Sequence, residues 1–101
     1  MIAIFKVEIT QSAECDLEEI WDYISQDNTD NATSFILQLE ERIYSLEQSP
    51  ERCPLIPENQ ILGTSYRHLI FGQYRTIFRI YDTTVYILRI IHGARLLKEL
   101  L

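Results

Sequence analysis

Five arginines and both histidines of the chain fall within residues 66–95: Arg67, Arg75, Arg79, Arg89 and Arg95, with His68 and His92. A guanidinium is a permanent cation whose forked donors suit phosphate and carboxylate groups, and histidine is the side chain that titrates near neutral pH. This stretch is therefore where the chain could meet an anion or move a proton. The remaining candidate chemistry is acidic: Glu14, Glu18 and Asp22 recur every four residues. That spacing, with no histidine nearby in sequence, describes a solvated helix face better than an acid–base pair or a metal site, so no metal and no cofactor are expected.

The strands that must carry the arginines are legible in the same stretch. Tyr66 to Tyr81 and Val85 to His92 are dense in β-branched and aromatic residues. Gly72-Gln73 fits a two-residue hairpin turn with glycine at the position that needs positive φ. It pairs Phe71 with Tyr74, Ile70 with Arg75, His68 with Ile77 and Tyr66 with Arg79. One face then carries Tyr66, His68, Ile70, Arg75, Ile77, Arg79 and Tyr81. The other carries Arg67, Leu69, Phe71, Tyr74, Thr76, Phe78 and Ile80, and being more apolar it should meet the helices. The first face mixes arginine with aromatic and aliphatic side chains, the composition of a contact surface. At Asp82-Thr83-Thr84 the register forks: a three-residue loop puts Arg89 with Arg75 and Arg79, and a two- or four-residue loop puts it behind. The plainer reading of Arg75, Arg79 and Arg89 is that they brace the sheet or pair with Glu40, Glu41 or Asp82.

Upstream, Phe5, Val7 and Ile9 alternate with Lys6 and Glu8, as in a half-buried strand. Ser12 stands where an N-cap belongs, and Leu17, Ile20, Trp21 and Ile24 form an apolar helical stripe, with Glu14 and Asp16 near the positive end of the dipole. Asp30 or Asn31 is the next cap candidate, followed by Ala32, Phe35, Ile36, Leu39, Ile43 and Leu46, ending near Ser49 because Pro50 follows. A short link makes the two helices an antiparallel hairpin. Residues 50–64 hold all three prolines and read as an ordered surface loop. The last segment, from Leu96 to Leu101, is short and apolar.

Composition bounds the rest. The 101 residues make a single domain, 1–101, of 47% hydrophobic content, with Cys15 and Cys53 expected to be free thiols. No apolar run reaches the length of a membrane span and the start lacks the pattern of a signal peptide, which leads us to expect a cytoplasmic protein. The net charge of −6 is unevenly held: residues 1–58 carry thirteen acidic and three basic residues, and residues 59–101 two acidic and six basic. A chain this acidic is a poor general binder of polyphosphate, so direct nucleic-acid binding is not expected.

Taken in order, Ala13-x-x-Asp16-Leu17-x-x-Ile20-x-x-Tyr23-Ile24, Ala32-x-x-Phe35, Leu46-x-x-x-Pro50, Tyr66-Arg67, Gly72-x-Tyr74-Arg75-x-x-x-Arg79-Ile80 and Leu88 to Arg95 carry a resemblance. Over nearly its full length the chain resembles the ParE/RelE superfamily of toxins from type II toxin–antitoxin modules, closest to the ParE, or plasmid-stabilisation, branch. The resemblance implies an α+β fold: an N-terminal strand, an antiparallel helical hairpin, and a three-stranded antiparallel meander packed on it. It also implies a cognate antitoxin, often joined to a ribbon-helix-helix DNA-binding domain as in ParD, in a toxin–antitoxin hetero-oligomer. ParE-like members act on DNA gyrase without being nucleases. RelE-like members cleave mRNA on the ribosome; Arg67, Arg75 and Arg95 match basic positions of that site, and His92 is the candidate acid or base, unless it is simply a strand-end histidine bonded to backbone. Departures from the nuclease pattern are Leu69 where a second basic residue is expected, Leu101 where a tyrosine is expected, and a first hairpin one residue shorter. The expectation is a gyrase inhibitor, the alternatives a ribosome-dependent endoribonuclease and an inactive partner-binding member. Target or antitoxin contacts are expected at Tyr66, Arg75, Arg79, Tyr81, Arg89, Arg95, Leu97 and Leu100.

Overall fold

The computed structural model describes residues 4–93. The chain runs β1 (Lys6–Ile9), α1 (Gln11–Ser25), α2 (Thr29–Tyr44), two 3-10 turns at Ser45–Glu47 and Pro50–Arg52, a short α3 (Asn59–Leu62), then β2 (Arg67–Phe71), β3 (Tyr74–Tyr81) and β4 (Thr84–His92). The architecture is the expected α+β one. Its sheet has four strands in the order β1-β4-β3-β2, because β1 joins the meander as a parallel neighbour of β4. No helix among the described residues is long and apolar enough to cross a membrane.

Both helix starts fall earlier than the sequence suggested. Thr10, not Ser12, caps α1: its Oγ1 accepts from the Ala13 amide at 3.3 Å and donates to the Ile87 carbonyl at 2.7 Å. One hydroxyl thus caps a helix and ties it to β4, which Ser12, already the second residue of the helix, could not do. Asn28, not Asp30 or Asn31, caps α2, its Oδ1 accepting from the Asn31 amide at 2.9 Å. α2 ends at Tyr44 and tightens into the 3-10 turn, so the helix stops short of Ser49.

The hairpin buries its stripe on one face of the sheet, where Ala13, Ile20, Leu39, Ile43 and Leu46 meet Phe78, Val85, Ile87 and Ile90. The turn at Gly72-Gln73 gives the expected register, with Phe71 opposite Tyr74 and Ile70 opposite Arg75. Gly72 has φ +59°, and a Cβ there would lie 3.3 Å from the Phe35 ring. Conformation and space both call for glycine.

The opposite face is not the open surface that its composition suggested. Residues 50–66 fold back across it, and Ile56 and Leu62 join Tyr66, Ile77 and Ile91 in a second small core. The cause is hydrophobic: Ile77 and Ile91 on that face need cover, and the proline-rich connection supplies it. Backbone bonds fasten it along β2, from Ile56 N to Tyr66 O at 3.0 Å and from His68 N to Pro54 O at 3.2 Å. The Asn59 amide clamps Tyr66 at both its carbonyl (2.9 Å) and its amide (3.0 Å). Cys53, near the start of this connection, is buried in the main core with Leu46 and Phe78, its thiol pKa pushed up chiefly by burial, and Cys15 is exposed; both are free.

Candidate functional site

Arg75 lies mid-sheet on β3 and is 4% exposed. Its partner is Glu58, also 4% exposed, delivered by the folded-back connection. Nη1 donates to Glu58 Oε1 at 3.2 Å and Nη2 donates to Oε2, a bidentate fork. Nη1 also lies 3.3 Å from His68 Nδ1. Burial first, and then the Arg75 cation, hold the His68 pKa below its ordinary 6.5, which favours a neutral ring with a lone pair for the guanidinium. Neither Glu40, Glu41 nor Asp82 is the partner that sequence suggested for this arginine; the carboxylate comes from a segment whose path periodicity could not trace.

Arg67 is likewise turned inward. Its Nη1 donates to the carbonyls of Cys53 at 2.6 Å and Glu51 at 3.2 Å, bracing the connection.

Arg89 takes a third course. The β3–β4 turn has two residues, Asp82 and Thr83, with Tyr81 opposite Thr84. A register shift then pairs Phe78 with Ile87 and Ile77 with Arg89, leaving Leu88 as an extra residue on β4. The bulge restores beyond Leu88 the register that a three-residue loop would have given, so the loop is the two-residue one while Arg89 takes the pairing expected of the three-residue one, which neither branch of the fork had combined. Arg89 Nε and Nη2 grip Asp16 of α1 at 2.8 and 3.0 Å, and Asp16 also accepts from the Ile90 amide at 2.8 Å. The hydrogen bonding that Arg89 donates to the Asp16 carboxylate raises the Arg89 pKa further. Beyond β1 the edge of β4 is thus closed by a helix carboxylate.

The other candidates lie apart. Arg79 is exposed, its guanidinium 5.2 Å from the Tyr81 ring centre and 5.6 Å from that of Tyr86. Tyr66 packs into the second core. His92 is exposed at the end of β4 and meets Tyr74 edge-on, ring centres 5.8 Å apart. It shares with Asp16, Glu19, Tyr23, Tyr74 and Arg89 a cleft of about 410 Å³ between α1 and the end of β4. Arg95, Leu97 and Leu100 lie outside the described residues. Among the described residues, then, the basic side chains occupy separate places: under the connection, at the α1–β4 cleft, and on the open end of the sheet.

Two participants escaped the sequence reading. Asp16 was legible in part, because it stands three residues after Ala13 and four before Ile20 on the buried face of α1; a carboxylate in that position needs a cationic partner. Glu58 left no signal, being one acid in an aperiodic proline-rich stretch.

The family model described as the ParE toxin of the type II toxin–antitoxin system parDE matches residues 7–97. The chain belongs to this ParE toxin family. Among solved structures, the chromosomal ParDE toxin–antitoxin system from P. aeruginosa aligns with TM-score 0.72 and 22% identity, over 89% of this chain and 97% of that one. The toxin–antitoxin complex RelBE2 from Mycobacterium tuberculosis aligns with TM-score 0.63 and 28% identity, over 88% and 98%. None of the curated proteins matches the chain. The ParE-family chain described here therefore has the fold of the ParE/RelE superfamily and is the toxin member of a type II toxin–antitoxin system.

Proposed function

We propose that this ParE-family toxin inhibits DNA gyrase as a binding protein and does not cleave RNA, and that a ParD-like ribbon-helix-helix antitoxin neutralises it in a cytoplasmic hetero-oligomer. The observation that carries the reading is the inward engagement of two of the three arginines that match basic positions of the nuclease pattern. Arg75 is buried in a bidentate pair with Glu58, and Arg67 is bonded to the carbonyls of Glu51 and Cys53. A nuclease needs such cations presented to a scissile phosphate, where they balance developing charge. A carboxylate already in the fork of Arg75 removes that capacity. Inhibition by docking needs no such constellation.

The test is a cleavage assay with supercoiled plasmid, the cognate gyrase and purified toxin. Accumulation of covalently trapped, linearised DNA in the presence of both proteins is the expected result, and its absence overturns the reading. The second reading, a ribosome-dependent endoribonuclease, draws on the 28% identity to the RelBE2 complex. Primer extension on mRNA after induction would then show codon-phased cuts.

A further inference from the structure

β3 outruns β2. Their last pair is Arg67 with Phe78, yet β3 continues to Tyr81. In a two-residue hairpin the closing pair, here Phe71 with Tyr74, exchanges both backbone bonds, so Tyr74, Thr76 and Phe78 bond toward β2 and Ile80 is next in the alternation. The amide and carbonyl of Ile80 therefore point to the side that β2 has vacated. Among the described residues no backbone bond reaches either group. An open strand edge of this kind is a template for another strand. It also borders a cavity of about 390 Å³, closed on one side by Thr64, Ser65 and Tyr66 of the connection and on the other by Arg79, Ile80 and Tyr81.

The side chains around this notch carry an unanswered charge. Register sets Arg79 beside Tyr86 and Tyr81 beside Thr84 on the face turned from the helices, while Ile80 and Val85 between them pack into the main core. The Tyr81 and Tyr86 rings hold the Arg79 guanidinium through cation–π contact. Among the described residues its N–H donors enter no hydrogen bond and no ion pair. Tyr81, 63% exposed, stands next to it. Farther along the same face Lys6 and Glu8 neutralise each other at 2.8 Å. The notch thus offers backbone pairing, one free cation and exposed tyrosine, the residue types on which protein contacts concentrate their energy. A polyphosphate chain would meet a single cation there on a protein of net charge −6.

We propose that the notch at the end of β2 seats an extended acidic segment of the toxin's protein target, which adds a strand beside Ile80 and sets a carboxylate on Arg79. This rests on the reading above that the toxin acts by docking onto a protein. In an added strand the residue opposite Ile80 turns its side chain away from this face, and its two neighbours come opposite Arg79 and Tyr81. The segment recognised is therefore an acid and an aromatic or branched residue one position apart, bound by strand addition.

The probe is the capped peptide Thr-Glu-Val-Tyr-Thr, titrated into isotope-labelled toxin and followed by amide chemical shifts. Shifts should centre on Arg79, Ile80 and Tyr81, and exchange of the Ile80 amide should slow. Glutamine in place of the peptide's glutamate, a methyl group on the nitrogen of its valine, and Arg79→Glu in the toxin should each weaken binding about tenfold. Arg79 is exposed, and circular dichroism checks that the variant stays folded. Equal binding of the glutamine and glutamate peptides, or shifts centred elsewhere, overturns the proposal. So does an oligothymidine that binds the notch more tightly than the peptide, which would assign it to nucleic acid, or self-association that Arg79→Glu abolishes, which would assign it to a second copy. A second arm takes Arg79→Glu toxin into the gyrase cleavage assay, where trapping should fall about tenfold while the variant still copurifies with the cognate antitoxin. Full trapping by the variant, or loss of the antitoxin instead, overturns the proposal and leaves gyrase inhibition standing. If the unaltered toxin traps no gyrase, that function falls, and the peptide arm, which contains no gyrase, decides the notch by itself.

Discussion

Arg75 and Arg89 stand on neighbouring strands and each clasps a carboxylate from a distant part of the chain, yet they hold different things together. The Arg75–Glu58 pair is sealed, with side chains 5% and 4% exposed, and pins the proline-rich connection onto the sheet. The Arg89–Asp16 pair is partly wet, at 27% and 8%, and joins α1 to the edge of β4, where Asp16 also takes the Ile90 amide. Sealing a pair raises both its Coulomb attraction and its desolvation cost, so little net stability is gained, while loss of one partner strands a charge. The wet pair loses less when broken, because water can reach the survivor.

The sharpest way to break the comparison is at the sealed pair. Glu58→Ala leaves the Arg75 guanidinium without its carboxylate and is expected to cost about 3–5 kcal/mol in urea unfolding. Replacing both partners, Arg75→Met with Glu58→Leu, should recover most of that loss. A single variant costing less than about 1 kcal/mol would mean the pair is far better hydrated than its burial implies.

Asp16→Ala comes next. It removes two bonds to Arg89 and the acceptor for the Ile90 amide, and an expected cost of about 2–3 kcal/mol follows mainly from the orphaned buried amide. Hydrogen exchange at Ile90 should accelerate in the variant while exchange at Phe78 follows only the global change. If the two sites respond alike, Asp16 is not the local clasp described.

Gly72→Ala probes the turn that sets both regions in register. The positive φ and the 3.3 Å approach to Phe35 lead us to expect about 1–2 kcal/mol of destabilisation. Thermal melting would check this.

The smallest effect belongs to pH. The His68 pKa lies below its ordinary 6.5 in the folded protein, so the native state binds fewer protons than the unfolded chain in that window. Its contribution is full above about pH 6.5 and is lost as pH falls through the lowered folded value. His68→Gln should flatten that part of the stability curve. An unchanged slope would show that His68 is not the group responsible.

Much of this arrangement was legible from residue spacing. The stripe Leu17, Ile20, Trp21, Ile24 and the turn at Gly72-Gln73 specify helix faces and a hairpin register, because 3.6-residue and two-residue periods report geometry within one element. The fate of the arginines was not legible. Spacing placed Arg75 and Arg79 on one face and allowed that face to be open; Ile77 and Ile91 between them required cover, and the connection that covers them brought Glu58 along.

The amino-acid sequence by itself determined the order of elements, the two-sided sheet, the acidic hairpin and membership of the superfamily, all of which depend on local pattern. Only the tertiary structure decided that β1 lies parallel to β4, that a bulge at Leu88 redirects Arg89, and that Arg75 faces a carboxylate instead of solvent. The reason is range: the partners of Arg75 and Arg89 lie 17 and 73 positions away. A contact that far along the chain is selected by competition among all surfaces needing cover, which no window of neighbouring residues contains.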